Sequence, residues 1–293
     1  MWYPRGIKLL LFLLFFGPPS FLFAKERIAF EFSGWTGPAL TVYGVEPESV
    51  GPDTPVVFVM HGVLRNAAEY RDNWVDLAKQ HSLRVYVPEF DRERFPGAAA
   101  YNLGNVGGEG PSAFAAIEPI FQYLRESRGV TTDGYVLFGH SAGAQFVHRF
   151  VCFAKPKQML LAIVANAGWY TLPDRDELWP YGLDEIDPGA CDIEQWLTLP
   201  LLILLGEEDT DPEHQYLRRT PAAMRQGPQR FARGHYFLQA GQAAAEARDV
   251  PLRWRIDTVP DVGHDNAGMA KAVAPRVRQW VGEFDLTTGQ SRL

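Results

Sequence analysis

Cysteine is scarce: Cys152 and Cys191 are the only two in 293 residues. That excludes a disulfide-stapled miniprotein and a cysteine-built metal centre. No H-E-x-x-H run and no clustered Cys/His spacing is present, so neither a metal nor another cofactor is expected. Basic residues are not in excess, with 28 Lys and Arg against 35 Asp and Glu and a formal charge of −7. A surface of that sign repels phosphate polymers, so nucleic acid and anionic membrane are excluded as partners. Internal repeats and low-complexity linkers are also lacking, which leaves a single domain over residues 25–293 as the expected organisation.

A long uninterrupted apolar run is missing too. Leu9–Phe16 is apolar throughout, but Gly17-Pro18-Pro19 cuts it well short of a membrane span. Arg5 and Lys8 precede it, and a second apolar stretch ends at Ala24 before Lys25. Residues 1–24 therefore read as a signal peptide, with an uncleaved anchor as the alternative, and the mature chain is expected to be secreted or periplasmic. Cleavage would remove two basic residues and no acidic one, moving the formal charge from −7 to −9. Once the signal is cleaved no stable membrane span is expected. Both cysteines lie in the exported part, where a disulfide between them and two separate buried thiols are equally open.

What is present is an alternation of short apolar runs with helical periods. Ile28–Phe32 and Leu40–Val45 read as an opening antiparallel pair. Val56–Met60, Arg84–Pro88, Tyr135–Phe138, Leu160–Ala165, Leu201–Leu205 and Leu252–Thr258 read as further strands, the first of them apolar throughout as in a strand covered on both faces. Between them, 66–80, 111–127, a stretch ending near Phe153, 212–248 and 266–284 read as helical, with Phe114, Ile117, Ile120, Phe121 and Leu124 on one stripe. Such alternation predicts an α/β fold: a mostly parallel central sheet of about eight strands with helices on both faces. Residues 169–196, rich in Pro, Gly, Asp and aromatics, read as a lid-like loop.

Gly139-His140-Ser141-Ala142-Gly143 carries the chemistry. It lies between an apolar strand and a helix, the context a G-x-S-x-G turn requires to hold its serine exposed and strained. Ser141 is thus the candidate nucleophile. A serine hydroxyl needs a base, and the base an orienting acid.

Strand, G-x-S-x-G, helix, then acid, then histidine is an order that resembles the α/β-hydrolase superfamily, over about residues 27–284. The resemblance implies an acid in the loop Leu205–Pro212, at Asp209, with Asp211 and Glu208 as alternatives. It implies a base at His264, within Pro260–Asp265 between the last strand and last helix. His61 and His140 adjoin other motifs and are expected to be structural. An oxyanion hole is implied at the amides of Ala142, the residue after the nucleophile, and Val63, after His61-Gly62 (Leu64 being the alternative).

More narrowly, His61-Gly62 followed by Asn66, Tyr70 and Trp74, then Gly139–Gly143, resembles the secreted polyhydroxybutyrate-depolymerase and feruloyl-esterase branch. No substrate-binding domain or Thr/Pro-rich linker is appended, so a small-molecule or oligomeric ester is the expected substrate. Trp169 and Tyr170, after the sixth strand, are candidates for substrate binding together with Trp179 and Tyr181, packing of their loop onto the body being the equal alternative; Tyr101, Asn102 and Asn105, after the fourth strand, are similarly placed. A serine peptidase, a cell-surface acyltransferase and a catalytically dead binding protein are the rival expectations on the same fold. The sequence leaves oligomeric state open.

Overall fold

The computed structural model describes residues 26–48 and 50–286; the signal peptide expected at 1–24 lies outside them. Eight strands form one sheet: β1 (Arg27–Phe32), β2 (Leu40–Val45), β3 (Val56–Met60), β4 (Arg84–Pro88), β5 (Tyr135–His140), β6 (Met159–Ala165), β7 (Leu201–Gly206) and β8 (Trp254–Val259). Their spatial order is β1-β2-β4-β3-β5-β6-β7-β8. β1 and β2 pair antiparallel, as do β2 and β4, and every pairing from β4 onward is parallel.

The helices are α1 (Ala67–Asp72), α2 (Val75–His81), α3 (Gly97–Ala100), α4 (Ile117–Ser127), α5 (Ala142–Ala154), α6 (Ile193–Thr198), α7 (Pro221–Arg225), α8 (Arg230–Glu246), α9 (Asn266–Val273) and α10 (Val277–Leu286). Side chains alternate across the pleat, so each strand feeds two cores. Val56, Phe58 and Met60 pack with Phe121 of α4, Phe146 and Phe150 of α5, and Phe237 of α8. Val57 and Val59 pack on the other face with Trp74, Val75, Met269 and Trp280. Helices therefore cover both faces, as the unbroken apolar strands require. Among the described residues no helix is long and apolar enough to cross a membrane.

Three expected helices differ in detail, the last of them, 266–284, being interrupted at Ala274–Arg276 by a tighter turn that carries Pro275. The stretch 66–80 breaks at Asn73–Trp74, where Trp74 turns inward to meet the Phe138 ring with centroids 5.7 Å apart. The helical region expected from 212 begins only at α7. In the intervening loop, Asp211 Oδ1 accepts from the Glu213 amide and His214 Nδ1 from the Tyr216 amide. These local side-chain bonds offer the backbone an alternative to helix, and Thr220, capping α7 before Pro221, fixes where the helix starts.

Segment 169–196 is fastened to the body. Cys152 at the end of α5 is disulfide-bonded to Cys191. The buried Arg149 donates to Thr171 Oγ1 at 2.7 Å and lies 4.3 Å from the Trp169 ring centre.

Candidate active site

The parallel strands end together, and the nominated residues sit just past those ends. β3 pairs with β5 so that Met60 lies beside Gly139; β7 pairs with β8 so that Gly206 lies beside Val259. The loops after β3, β5, β7 and β8 consequently open on one edge of the sheet, the edge where open α/β sheets collect ligands.

Ser141 adopts φ 59° and ψ −115°, a conformation that non-glycine residues avoid. The turn is enforced by close approach: a Cβ at Gly143 would fall on the Met60 carbonyl. Only glycine lets α5 start so near β3. Gly62 is close-set too, though against a side chain and not backbone: a Cβ there would meet the Tyr70 hydroxyl at 2.6 Å.

Ser141 Oγ lies 3.0 Å from His264 Nε2, and His264 Nδ1 lies 2.7 Å from Asp209 Oδ2. A carboxylate can only accept, so Nδ1 carries the ring proton and Nε2 is left free to accept from the serine hydroxyl. The structure thus joins the three residues nominated from the sequence. Asp211 is turned to its own loop, and Glu208 takes no part in the chain. Asp209 is 2% exposed, and its Oδ1 accepts from Arg230 Nη1 at 3.1 Å.

Val63 shares the cleft with Ser141, and Ala142 follows it directly in the chain. Val63 lines the cleft and is half exposed; Ala142 opens the 13-residue helix α5, whose N-terminal end carries partial positive charge. Neither amide donates to an acceptor among the described residues. The loop holding Val63 is rigidly tied: His61 Nε2 accepts from the Phe90 amide at 3.1 Å, Tyr101 donates to the His61 carbonyl at 2.7 Å, and the Arg65 guanidinium lies 4.1 Å over Tyr101. Burial pushes the His61 ring down to about 3, so it stays neutral. His140 is likewise driven well below the usual histidine range by burial.

A cleft of about 330 Å³ opens beside Ser141, with Val63 and Leu64 at one wall, His214 and Tyr216 at another, and Asn66, Glu69, Asn73 and Asp265 around it. Its lining holds two carboxylates and no Lys or Arg.

Trp169 and Tyr170 do not line this cleft. Trp169 lies against Tyr181, with the guanidinium groups of Arg149 and Arg218 at 4.3 and 5.1 Å from its ring centre. Tyr170 is fully buried and stacked on Phe237 at 4.4 Å. Apolar area wins for both rings: hidden aromatic surface is worth more in the core than in an open cleft. Tyr101 and Asn102 are buried too, Asn102 donating to Gln145 at 3.0 Å, and Asn105 closes a surface turn through the Glu109 carbonyl.

Three contributors escape sequence reasoning: Arg230, His214 and Asn166. Asn166, buried with φ 51°, accepts from the Gly206 amide and donates to the Gly263 carbonyl. It thereby ties the acid loop to the histidine loop. Its place directly after β6 was the one available signal.

Among solved structures, the chain is similar to poly(aspartic acid) hydrolase-1 from Sphingomonas sp. KT-1, with 39% identity over 85% of this chain and 97% of that one and a TM-score of 0.81. It is similar also to the poly(3-hydroxybutyrate) depolymerase LpqC from Bordetella parapertussis, with 34% identity over 86% and 90% and a TM-score of 0.77. An S-formylglutathione hydrolase from Agrobacterium tumefaciens shares the fold at 14% identity, 89% and 96% coverage and a TM-score of 0.55. No protein-family model matches the chain, and no curated protein matches it. Fold, site and relatives define a hydrolase. The chain belongs to the α/β-hydrolase superfamily, in the branch that holds the poly(aspartic acid) hydrolase and the poly(3-hydroxybutyrate) depolymerase.

Proposed function

We propose that this protein cleaves a carboxylic ester through an acyl-enzyme formed on Ser141. The observation that carries this reading is the continuous chain from Ser141 Oγ through His264 to Asp209, at 3.0 and 2.7 Å. Ser141 Oγ attacks the ester carbonyl carbon while His264 Nε2 takes its proton; the amides of Val63 and Ala142 hold the oxyanion. The C–O bond to the alcohol then breaks, and His264 returns the proton to the departing oxygen. Water attacks the acyl-serine, again giving its proton to His264, and the acid leaves as Ser141 recovers its hydrogen. Asp209 holds the Nδ1 proton throughout.

Charge favours a neutral ester over a polyanionic amide. The relative named for poly(aspartic acid) faces a carboxylate at every residue of its polymer. The cleft lining presents Glu69 and Asp265 and no Lys or Arg, with Arg92 reaching only its rim at the Val63 carbonyl, a balance that favours a neutral substrate. Export through residues 1–24 is part of the same proposal, supported by the Cys152–Cys191 bond, since disulfides persist in oxidising compartments. Fractionation with N-terminal sequencing tests that part: protein outside the cytoplasm starting at Lys25 supports it, and protein confined to the cytoplasm with Met1 retained contradicts it. Hydrolysis of p-nitrophenyl esters from acetate to palmitate, by the wild type and by Ser141→Ala, tests the chemistry. Turnover abolished in the variant supports the reading; turnover retained contradicts it.

A further inference from the structure

The reaction just described makes no use of His214. Its ring lines the cleft and stands edge-on to His264, with centroids 5.1 Å apart at 72°. Two groups converge on its Nδ1: Arg230 Nη2 at 3.1 Å and the Tyr216 amide at 3.2 Å. Both are donors only, so Nδ1 must hold its lone pair and the proton of the neutral ring must sit on Nε2. Burial, then Arg230 and His264, hold this histidine below its ordinary range, in keeping with a neutral ring. Nε2 has no protein partner among the described residues. In the reaction above His264 hands its proton to the departing alcohol, and His214 stands beside that ring in the same cleft.

We propose that His214 is a specificity contact, donating from Nε2 to a neutral oxygen acceptor in the alcohol half of the ester, and that Arg230 is the positioning residue that sets its tautomer. The inference rests on the ester-hydrolase reading. Arg230 then serves two groups at once, since the same guanidinium binds Asp209 Oδ1 and His214 Nδ1.

Two substrates isolate the contact: acetoxyacetone and methallyl acetate, which share the acetyl group and the alcohol's shape and differ by C=O against C=CH2. Both are followed by titrating released acid. His214→Phe keeps a flat ring and removes the donor. It should lower kcat/KM on acetoxyacetone roughly 3- to 10-fold more than on methallyl acetate, the worth of one neutral hydrogen bond. His214→Gln, which places an amide donor near the Nε2 position, should recover most of that difference. Equal losses on the two esters, or a Gln variant no better than Phe, overturns the contact. For Arg230 the readout is the imidazole nitrogen-15 spectrum of His214: bare Nδ1 and protonated Nε2 in the wild type, and mixed tautomers in folded Arg230→Gln. An unchanged spectrum in that variant overturns the positioning role. If the wild type turns over neither ester and Ser141 is not labelled by a fluorophosphonate, the ester reading itself falls and the inference falls with it. Labelled, active wild type with equal losses sinks the inference alone.

Discussion

The Asp209 carboxylate is divided between two partners: Oδ2 accepts from His264 Nδ1 at 2.7 Å, and Oδ1 accepts from Arg230 Nη1 at 3.1 Å. Asp209 is 2% exposed and Arg230 1%, so replacing the acid has two separable effects. Asp209→Asn should lower kcat by about 10³–10⁴-fold, because the amide no longer fixes the tautomer. It should also lower unfolding free energy by roughly 3–5 kcal/mol, because Arg230 keeps a buried charge without its counterion. Adding Arg230→Met should restore most of the stability and none of the rate. Urea unfolding beside steady-state kinetics checks both; a double variant as unstable as the single one contradicts the division of roles.

The Ser141 turn depends on bare backbone at Gly143. Gly143→Ala drives a methyl group onto the Met60 carbonyl, which must push α5 and the Ser141 turn aside. Displacement of a nucleophile by about 1 Å costs on the order of 100-fold in rate. A folded Gly143→Ala protein with wild-type kcat would show that the approach is not needed.

Three buried histidines make the fold sensitive to acid. Burial lowers the His61 ring to about 3 and drives His140 and His148 well below the usual range. Below the unfolded value of about 6.5 the unfolded chain binds protons that these folded rings refuse. Stability is therefore whole above pH 6.5 and falls as pH drops toward about 3 for His61. Each ring contributes a slope of about 1.4 kcal/mol per pH unit across its window. Urea midpoints measured from pH 7.5 to 5 should fall steeply below 6.5; a flat profile contradicts the burial of neutral rings.

The cleft's charge is adjustable at its rim. Glu69 lines it and holds Asn66 through a hydrogen bond. Glu69→Lys should raise kcat/KM for an anionic ester relative to a neutral one by about 2- to 5-fold in dilute salt, the scale of an exposed charge pair, with the gain shrinking as salt is added. A gain that is equal for both esters would assign it to shape rather than charge.

Much of this architecture is legible in the sequence for identifiable reasons. β3, β5, β6 and β7 are largely apolar runs buried on both faces, a pattern that marks strands covered on both sides. Ser141 was legible because Gly139 and Gly143 bracket it between a strand and a helix, whereas Asp209 and His264 were reached through chain order and resemblance. Arg230 was not legible: a lone arginine early in a helix reads as solvated surface, and only the fold sets it beneath Asp209. His214 was hidden by the same cause that hid the loop carrying it, since side-chain bonds from Asp211 and His214 displaced an expected helix. Trp169 and Tyr170 take the packing role of the two that the sequence leaves open, because composition does not distinguish a ring that packs a loop from one that faces substrate.

The most direct test of the central claim is covalent labelling of the wild type and of Ser141→Ala with a fluorophosphonate, read by intact mass and peptide mapping, beside hydrolysis of p-nitrophenyl acetate. The account predicts one adduct per chain, on Ser141, with labelling and turnover lost together in the variant. An adduct on another residue, or turnover that survives Ser141→Ala, would contradict it.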